Sequence, residues 1–392
     1  MNKRESFTPI HRRIFSEDHE IFRRSVRRFV ETEILPNRVA WEELGTVPRD
    51  VWLKAGAAGL LCCDLPEEYG GAGADWLYSI IVQEELTRAG GAAPGITGHS
   101  DIAVPYIRTF GTEEQKRRWL PRMARGEAIC AVAMTEPHAG SDLQAMRTSA
   151  IRDGDDYVIN GQKVFISNGQ QAHVIILAAK TDPTARGKGI SMILVEEDRP
   201  GFSRGRMLEK IGRKAQDTVE LFFEEMRVPV SNRLGEEGAG FPMLMSMLVQ
   251  ERLISAARAV ATSEHVLRWT LEYVNEREAF GRKVGDFQNT QFTLADLWSE
   301  LHIHRVFLDD CLGRHMKGEV TIPEAAAAKL RCSELEGRLV DQCLQFFGGW
   351  GYMWDFPIAR AYADVRVDRI SAGSNHILKM LIGRELVKGQ LS

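Results

Sequence analysis

The chain has 392 residues, a length that suits two or three packed domains rather than one small core. Its 44% hydrophobic content is ordinary for a globular protein, and a formal net charge of −4 gives no global attraction to phosphate backbones. No apolar run reaches membrane-spanning length free of charge, and the six cysteines form no CxxC pair, which fits reduced, mostly buried thiols. The first residues are locally basic (Lys3, Arg4, Arg12, Arg13), but Glu5, Glu17 and Asp18 interleave with them, unlike a transit peptide, and a secretory signal would need an apolar core. These features predict a soluble intracellular protein, in a bacterial cytoplasm or, for a processed eukaryotic chain, the mitochondrial matrix.

Taken in order, the pattern is helical up to about residue 125. "SEDHEIFRRSVRRFVETEI" spaces Ile21, Val26, Phe29, Val30 and Ile34 along one face, with Ser16 as N-cap. "DWLYSIIVQEELTRAG" and "TEEQKRRWLPRMARG" read the same way, each with a cap in front and glycine behind. From about 128 to 237 the period shortens to two. "AICAVAMTE", "YVINGQKVFISNG", "HVIILAAKT", "ISMILVEE" and "TVELFFEEMRVP" read as strands, and "RDGDDY" as a hairpin turn. Long helices return near 240–276, 287–315, 323–347 and 375–388. The fold class expected is therefore α+β: a helical domain over 1–127, a central β-barrel or sandwich over 128–237, and a helical bundle over 238–392.

Several motifs fail. "GFSRG" at 201–205 matches G-x-S-x-G, but Pro200-Gly201 precede Ser203 and "RMLEKIG" after it alternates like a strand, which is the wrong context for a nucleophile elbow. Nothing matches a dinucleotide G-x-G-x-x-G or a P-loop, and no acid–histidine cluster has zinc spacing, so no metal site is expected.

One helix carries a charge where it should not. In "LMSMLVQERLISAARAV" (244–260), Glu251 lies on the stripe of Leu244, Leu248 and Ile254 and points where they point. A carboxylate facing inward is either a structural acid satisfied from another helix or a base whose pKa is raised by an apolar pocket. The neighbour Arg252 does not face it directly, since i,i+1 positions diverge on a helix. Two turns add chemistry: "AMTEPHAGSD" (133–142) and "KVFISNG" (163–169) each end a strand in backbone N–H groups and hydroxyls that can meet a ligand edge.

Together with "NEREAFGRKVGDFQ", "QFFGGWGYMWDFPIARAYADVR" and "SAGSNHI" in this order, these stretches resemble the acyl-CoA dehydrogenase family from about residue 12 to the end, and most closely its long-chain branch. The resemblance implies three domains in the order given, FAD between them, a homotetramer built as a dimer of dimers, an acyl-CoA substrate, and electrons leaving through an electron-transferring flavoprotein. Residue by residue it places Val132, Ala133, Met134, Thr135 and Ser141 at the flavin edge, with Ser141 also touching substrate. Phe165, Ile166 and Ser167 fall beside the isoalloxazine. Arg277, Gln288, Gln345, Phe346, Phe347, Gly348 and Gly349 match groups that reach FAD across a subunit interface, and Ser374, Asn375 and His376 continue the site. Gln250, Arg252 and Gly373 flank the substrate, and Lys188 meets the CoA nucleotide.

Departures from the family pattern sharpen the helix question. Many members carry the base in a Tyr-Glu-Gly-Thr stretch, which here reads Ser371-Ala372-Gly373-Ser374, and alanine cannot take a proton. The long-chain and isovaleryl branches place it on the first bundle helix, where "QERL" matches, so the resemblance implies Glu251 as the base. It removes the pro-R α-proton while the β-hydride moves to the flavin. The backbone N–H of Ala372 then remains as a donor to the thioester oxygen. Two further departures stand out: His138 replaces a usual glycine, a cost if that position needs positive φ, and His376 replaces Glu or Gln and is expected to pack rather than tune the flavin. An oxidase or flavin monooxygenase of the same fold is the alternative reading. A DNA-binding flavoprotein is remote, because that branch carries an extra basic domain.

Overall fold

The computed structural model describes residues 12–389. Lys3, Arg4 and Glu5 of the basic stretch lie outside the described residues.

The N-terminal part is helical: α1 (Glu17–Phe29), α2 (Arg38–Leu44), α3 (Arg49–Ala57), α4 (Trp76–Leu86), α5 (Val104–Phe110) and α6 (Glu113–Ala124). The caps fall where polar side chains precede apolar runs. Ser16 and Thr112 form capping boxes with His19 and Gln115, and Asp75 accepts from Leu77 N–H. Beyond Phe29 the first helix widens into a π-turn over Val30–Ile34.

The middle is one mixed sheet of eight strands: β1 (Cys130–Ala133), β2 (Ser149–Asp153), β3 (Asp156–Ser167), β4 (Val174–Lys180), β5 (Ile190–Glu196), β6 (Phe202–Met207), β7 (Thr218–Pro229) and β8 (Arg233–Leu234). The order runs β6-β7-β3-β2-β4-β5-β8, and β1 lies parallel to β4. The β2–β4 junction is a single pair, Ser149 with Lys180, so the sheet folds there into two faces. Strand β4 is buried on both sides because its alternate residues serve different cores. Ile175, Leu177 and Ala179 face β3 and β7, whereas Val174, Ile176 and Ala178 join the core of the N-terminal helices. The hairpin expected at "RDGDDY" joins β2 to β3, with Gly154 at φ 64°. One strand is displaced from expectation: β6 covers "FSRGRM", not "RMLEKIG". Ser203 therefore sits inside a strand, and an elbow is excluded outright.

The C-terminal part is built on α7 (Gly240–Glu276), α8 (Gln288–His315) and α9 (Ile322–Phe347), followed by α10 (Pro357–Asp364) and α11 (Asn375–Val387). A short hairpin, β9 (Glu278–Ala279) with β10 (Arg282–Lys283), links α7 to α8. The bundle core includes Trp76, Leu77 and Ile80 of α4, so the N-terminal helices and the bundle share one apolar seam. That seam is also ionic. The buried Glu84 of α4 meets Arg12, Arg23 and Arg305, and these guanidinium groups hold its carboxyl well below the usual range despite burial. All six cysteines are free and buried. No described helix is long and apolar enough to cross a membrane.

Candidate active site

The loop after β1 is locked from beneath. Glu136 is buried, and its carboxylate accepts from Arg147 N–H at 2.6 Å, Thr148 N–H at 3.0 Å and Lys163 Nζ at 2.8 Å. Lys163, on β3 and fully buried, also donates to Met134 O at 3.0 Å, while Val164 N–H donates to Thr135 O at 2.9 Å. Every polar atom of this pair is thus used to fix the backbone of 134–148 against β3, and Thr135 and Ser141 ride on the result. His138 has no positive φ, so no backbone strain attends it; its Nε2 lies 3.4 Å from Glu136.

At the end of β3, Phe165 is 65% exposed and sits at φ 62°, a conformation unfavourable for an aromatic residue. Strain and an exposed ring together call for a flat partner. Asn168, also left-handed at φ 62°, donates to Gly95 O at 2.9 Å, and a Cβ at Gly95 would fall 1.8 Å from its Oδ1. A side chain at Gly95 would displace Asn168 and break this contact, which lies one residue from Ser167 on the cavity wall.

That cavity, about 330 Å³, lies between the turn over 87–98, α7, α9 and α10. The small residues Gly90, Ala93, Pro94, Gly95 and Gly98 form one wall, which makes room for a chain. Glu251 lines it, as do Ser167 and Ser371. Burial pushes the Glu251 carboxyl above its ordinary range, and Arg252, Arg258 and Lys329 pull it back part of the way. Arg252 itself is buried, its Nε without a partner among the described residues, and its guanidinium lies near Gly373. Gln250 is turned away and donates to Asp101 O at 2.8 Å, tying α7 to the N-terminal helices.

The 371–375 turn is held by α9. Lys329 Nζ donates to Gly373 O at 2.9 Å and to Asn375 Oδ1 at 3.0 Å, and the Asn375 amide donates to Ser333 at 3.1 Å. Ala372 sits at φ 56°, left-handed although it carries a Cβ, so its peptide is aimed rather than relaxed. Ser374 is spent as the N-cap of α11, accepting from Ile377 N–H.

Several expected contacts take another form. The side chains of Ala133, Ile166 and Phe347 face protein cores, and Phe347 stacks on Tyr273, so only their backbones can meet a ligand. The Asn375 side chain is already bound within the bundle. His376 was expected to pack but is exposed in this chain. Lys188 lies at a separate shallow cleft with Phe241 and Pro242, at the start of α7.

Arg277, Gln288, Gln345 and Gly348-Gly349 gather at the far end of the bundle, at the ends of α7, α8 and α9. Along α7 this end is about 39 Å from Glu251 at 1.5 Å per residue. One chain therefore carries two separate halves of the expected flavin site. The sequence reading missed Glu136, Lys163 and Lys329. Lys329 carried the same signal as Glu251, a charge on a buried helical face beside Ala325, Ala328 and Cys332.

A flat, hydrogen-bonding ring fits these residues: the strained, exposed Phe165 offers a stacking face, Ser167 a hydroxyl, and the locked 133–141 loop free backbone groups. Known proteins agree. Family models for the acyl-CoA dehydrogenase N-terminal, middle and C-terminal domains match residues 16–127, 131–226 and 238–387. The long-chain specific acyl-CoA dehydrogenase of Sus scrofa is 48% identical over 378 residues, covering 96% of this chain and 88% of that protein. A crystal structure of acyl-CoA dehydrogenase from Geobacillus kaustophilus superposes with a TM-score of 0.94 at 46% identity, covering 96% of this chain and all of the other. A structure reported with the electron transferring flavoprotein of Acidaminococcus fermentans gives 0.91 at 34% identity, covering 95% and 99%. With three domain models matched in order along a fold that sets the Glu251 carboxylate on a cavity wall with Ser167, the chain belongs to the acyl-CoA dehydrogenase family.

Proposed function

We propose that this enzyme oxidises a long-chain acyl-CoA to its trans-2-enoyl-CoA, with Glu251 as the base, and passes electrons to an electron-transferring flavoprotein. It is an oxidoreductase acting on CH–CH bonds, and FAD is its cofactor. The observation that carries the residue assignment is Glu251 itself: a carboxylate on the cavity wall, basic through burial, where position 372 offers only alanine.

FAD, when bound, supplies the hydride acceptor. Phe165, Ser167 and the 133–141 loop would hold its ring, and Arg277, Gln288, Gln345 and the Gly348-Gly349 turn would hold the remainder from a second copy. The chain's own work is proton removal and charge stabilisation. Glu251 takes the α-proton of the thioester. The Ala372 N–H donates to the thioester oxygen as negative charge develops, a contribution of about 3–4 kcal/mol for a well-placed donor. Arg252 supports the 371–374 turn and limits the rise of the Glu251 pKa. Lys188 beside Phe241 suits the CoA nucleotide.

The homotetramer reading is supported by exposed apolar surface. Phe292, Trp298 and Ile303 stand out from α8, and Phe280 is 96% exposed beside Arg277. Long-chain specificity is supported by the glycine- and alanine-built wall and by the Sus scrofa relative.

An anaerobic titration with palmitoyl-CoA, following flavin absorbance, tests the assignment beside Glu251→Gln. The wild type bleaches, and the variant binds the thioester but reacts at least about a hundredfold more slowly. Equal bleaching in both would remove Glu251 from the role.

A further inference from the structure

Lys329 of α9 is 0% exposed, set with Ala325, Ala328 and Cys332 on the buried face of its helix. Burial pushes its ammonium down from 10.5 to about 8. A lysine this deep is ordinarily paired with an acid, as Lys163 is with Glu136 at 2.8 Å. The hydrogen-bond partners of Lys329 among the described residues are instead two neutral oxygens, Gly373 O at 2.9 Å and Asn375 Oδ1 at 3.0 Å. Both belong to the 371–375 turn, and the second is itself fixed, because Asn375 Nδ2 donates to Ser333 Oγ at 3.1 Å.

The turn is anchored at two points with an open stretch between them. At its start, Ser371 N–H donates to Val367 O at 2.9 Å, and Val367 lies in the 3-10 turn Val365–Arg369, whose Asp368 is bound by Arg213 and Arg258. At its end stands the Lys329 bond to Gly373 O. In between, Ala372 and Gly373 sit at φ 56° and 86°, and neither N–H has an acceptor among the described residues. Ser371, whose carbonyl shares a peptide with the Ala372 N–H, lines the cavity together with Glu251. A left-handed alanine relaxes once an anchor is released, and its peptide then turns away. From this geometry, and resting on the acyl-CoA dehydrogenase reading above, we infer that Lys329 is a positioning residue for the oxidation: its ammonium holds the 371–375 turn so that the Ala372 N–H stays aimed at the thioester oxygen.

A charge does more at this place than a neutral donor could. After Arg252 and Arg258, Lys329 is the third cation drawing the Glu251 carboxyl back toward its ionised form. Its bond to Gly373 O is charge-assisted, hence stronger than one from an amide. One residue thus serves both halves of the proton transfer without touching the thioester. It favours the form of the base that accepts the proton, and it steadies the N–H that meets the charge left behind.

The test uses the FAD-loaded enzyme with trans-2-hexadecenoyl-CoA, isotopically labelled at the thioester carbonyl, and reads the infrared band of that carbonyl. On binding to the wild type the band is expected to move to lower frequency, as a donor polarises the bond. In Lys329→Met, similar in length but uncharged, at least about half of that shift is lost; with palmitoyl-CoA, kcat falls by on the order of a hundredfold while KM changes less than about threefold, the mark of an interaction made in the transition state. Glu251→Gln keeps the band shift and loses oxidation, which separates proton removal from carbonyl polarisation. Should Lys329→Met not fold with FAD, Ser333→Ala carries the test: it frees the Asn375 amide that Lys329 grips, and part of the shift is lost. A wild-type band that does not move, a band unchanged in whichever variant folds, or a loss confined to KM overturns the inference and leaves Lys329 a structural lysine. No flavin bleaching of the wild type by palmitoyl-CoA would sink the dehydrogenase reading itself, and the inference with it.

Discussion

Two buried acids in this molecule have opposite surroundings. Glu136, under the loop after β1, is met by two backbone N–H groups and the Lys163 ammonium, and these hold its carboxyl below the ordinary range against burial. Glu336, on α9, faces the Asp368 carboxylate instead of N–H donors, and burial together with that neighbour pushes its carboxyl the other way. Both are almost fully buried, so burial alone distinguishes nothing. The partner does: an ammonium and two N–H groups favour the charged form, and a neighbouring carboxylate favours the proton.

Breaking the saturated pair has the largest expected effect. Lys163→Met leaves Glu136 buried without its cation, and urea denaturation of this variant should show a loss of about 3–5 kcal/mol, with weakened flavin retention. A loss under about 1 kcal/mol would mean water or His138 replaces the lysine and the loop is not locked as described.

A second saturated group sharpens the comparison through pH. His99 is fully buried; its Nδ1 accepts from Cys130 N–H at 3.0 Å and its Nε2 lies 3.3 Å from Met123 O, so the neutral ring is the form held. Burial lowers its pKa from 6.5 to about 4. The unfolded chain binds this proton below pH 6.5 while the folded one refuses it until about 4, so stability falls as pH drops through that window. Linkage puts the loss from this group at about 3 kcal/mol. His99→Gln should remove the His99 share of that slope in urea denaturation followed across pH, leaving the share of histidines such as His265, whose pKa burial also lowers.

At Glu336 the stability effect is smaller. Glu336→Gln replaces an acid that already keeps its proton with a neutral amide, and the unfolding free energy should move by less than about 1 kcal/mol in either direction. A loss several times larger would show that Glu336 is ionised, removing the contrast with Glu136. The smallest effect belongs to Ala372→Gly. Relieving a left-handed alanine is offset by the added freedom of the unfolded chain, so a gain of about 1 kcal/mol or less is expected in thermal unfolding.

Much of the fold was legible because it follows from local rules. Ser16, Asp75 and Thr112 cap helices where polar residues meet apolar runs, and Gly154 turns the hairpin at "RDGDDY". The displaced strand β6 was not legible, because "FSRGRM" has little apolar alternation and is a strand only through pairing with β7. The short α10 was likewise missed inside a run quoted for its glycines and aromatics. At the site, Glu251 announced itself by a helical stripe, whereas Glu136 looked like one polar residue in a turn. Its role depends on Lys163, 27 positions away on another strand.

The sequence by itself determined the order of helical, β and helical parts, the inward charge at Glu251, and the absence of a side-chain base at Ala372, since periodicity and residue chemistry are local properties. Only the tertiary structure decided which buried charges are satisfied. It put Ser167 on the cavity wall and the bundle-end residues about 39 Å from Glu251 along α7, dividing one expected site between two ends of the chain. It also turned the side chains of Ile166, Phe347 and Asn375 inward and brought Arg258, Glu336 and Asp368 to one cavity wall. Hydrogen-bond satisfaction is a property of partners distant in the chain, and a linear pattern carries no record of who they are.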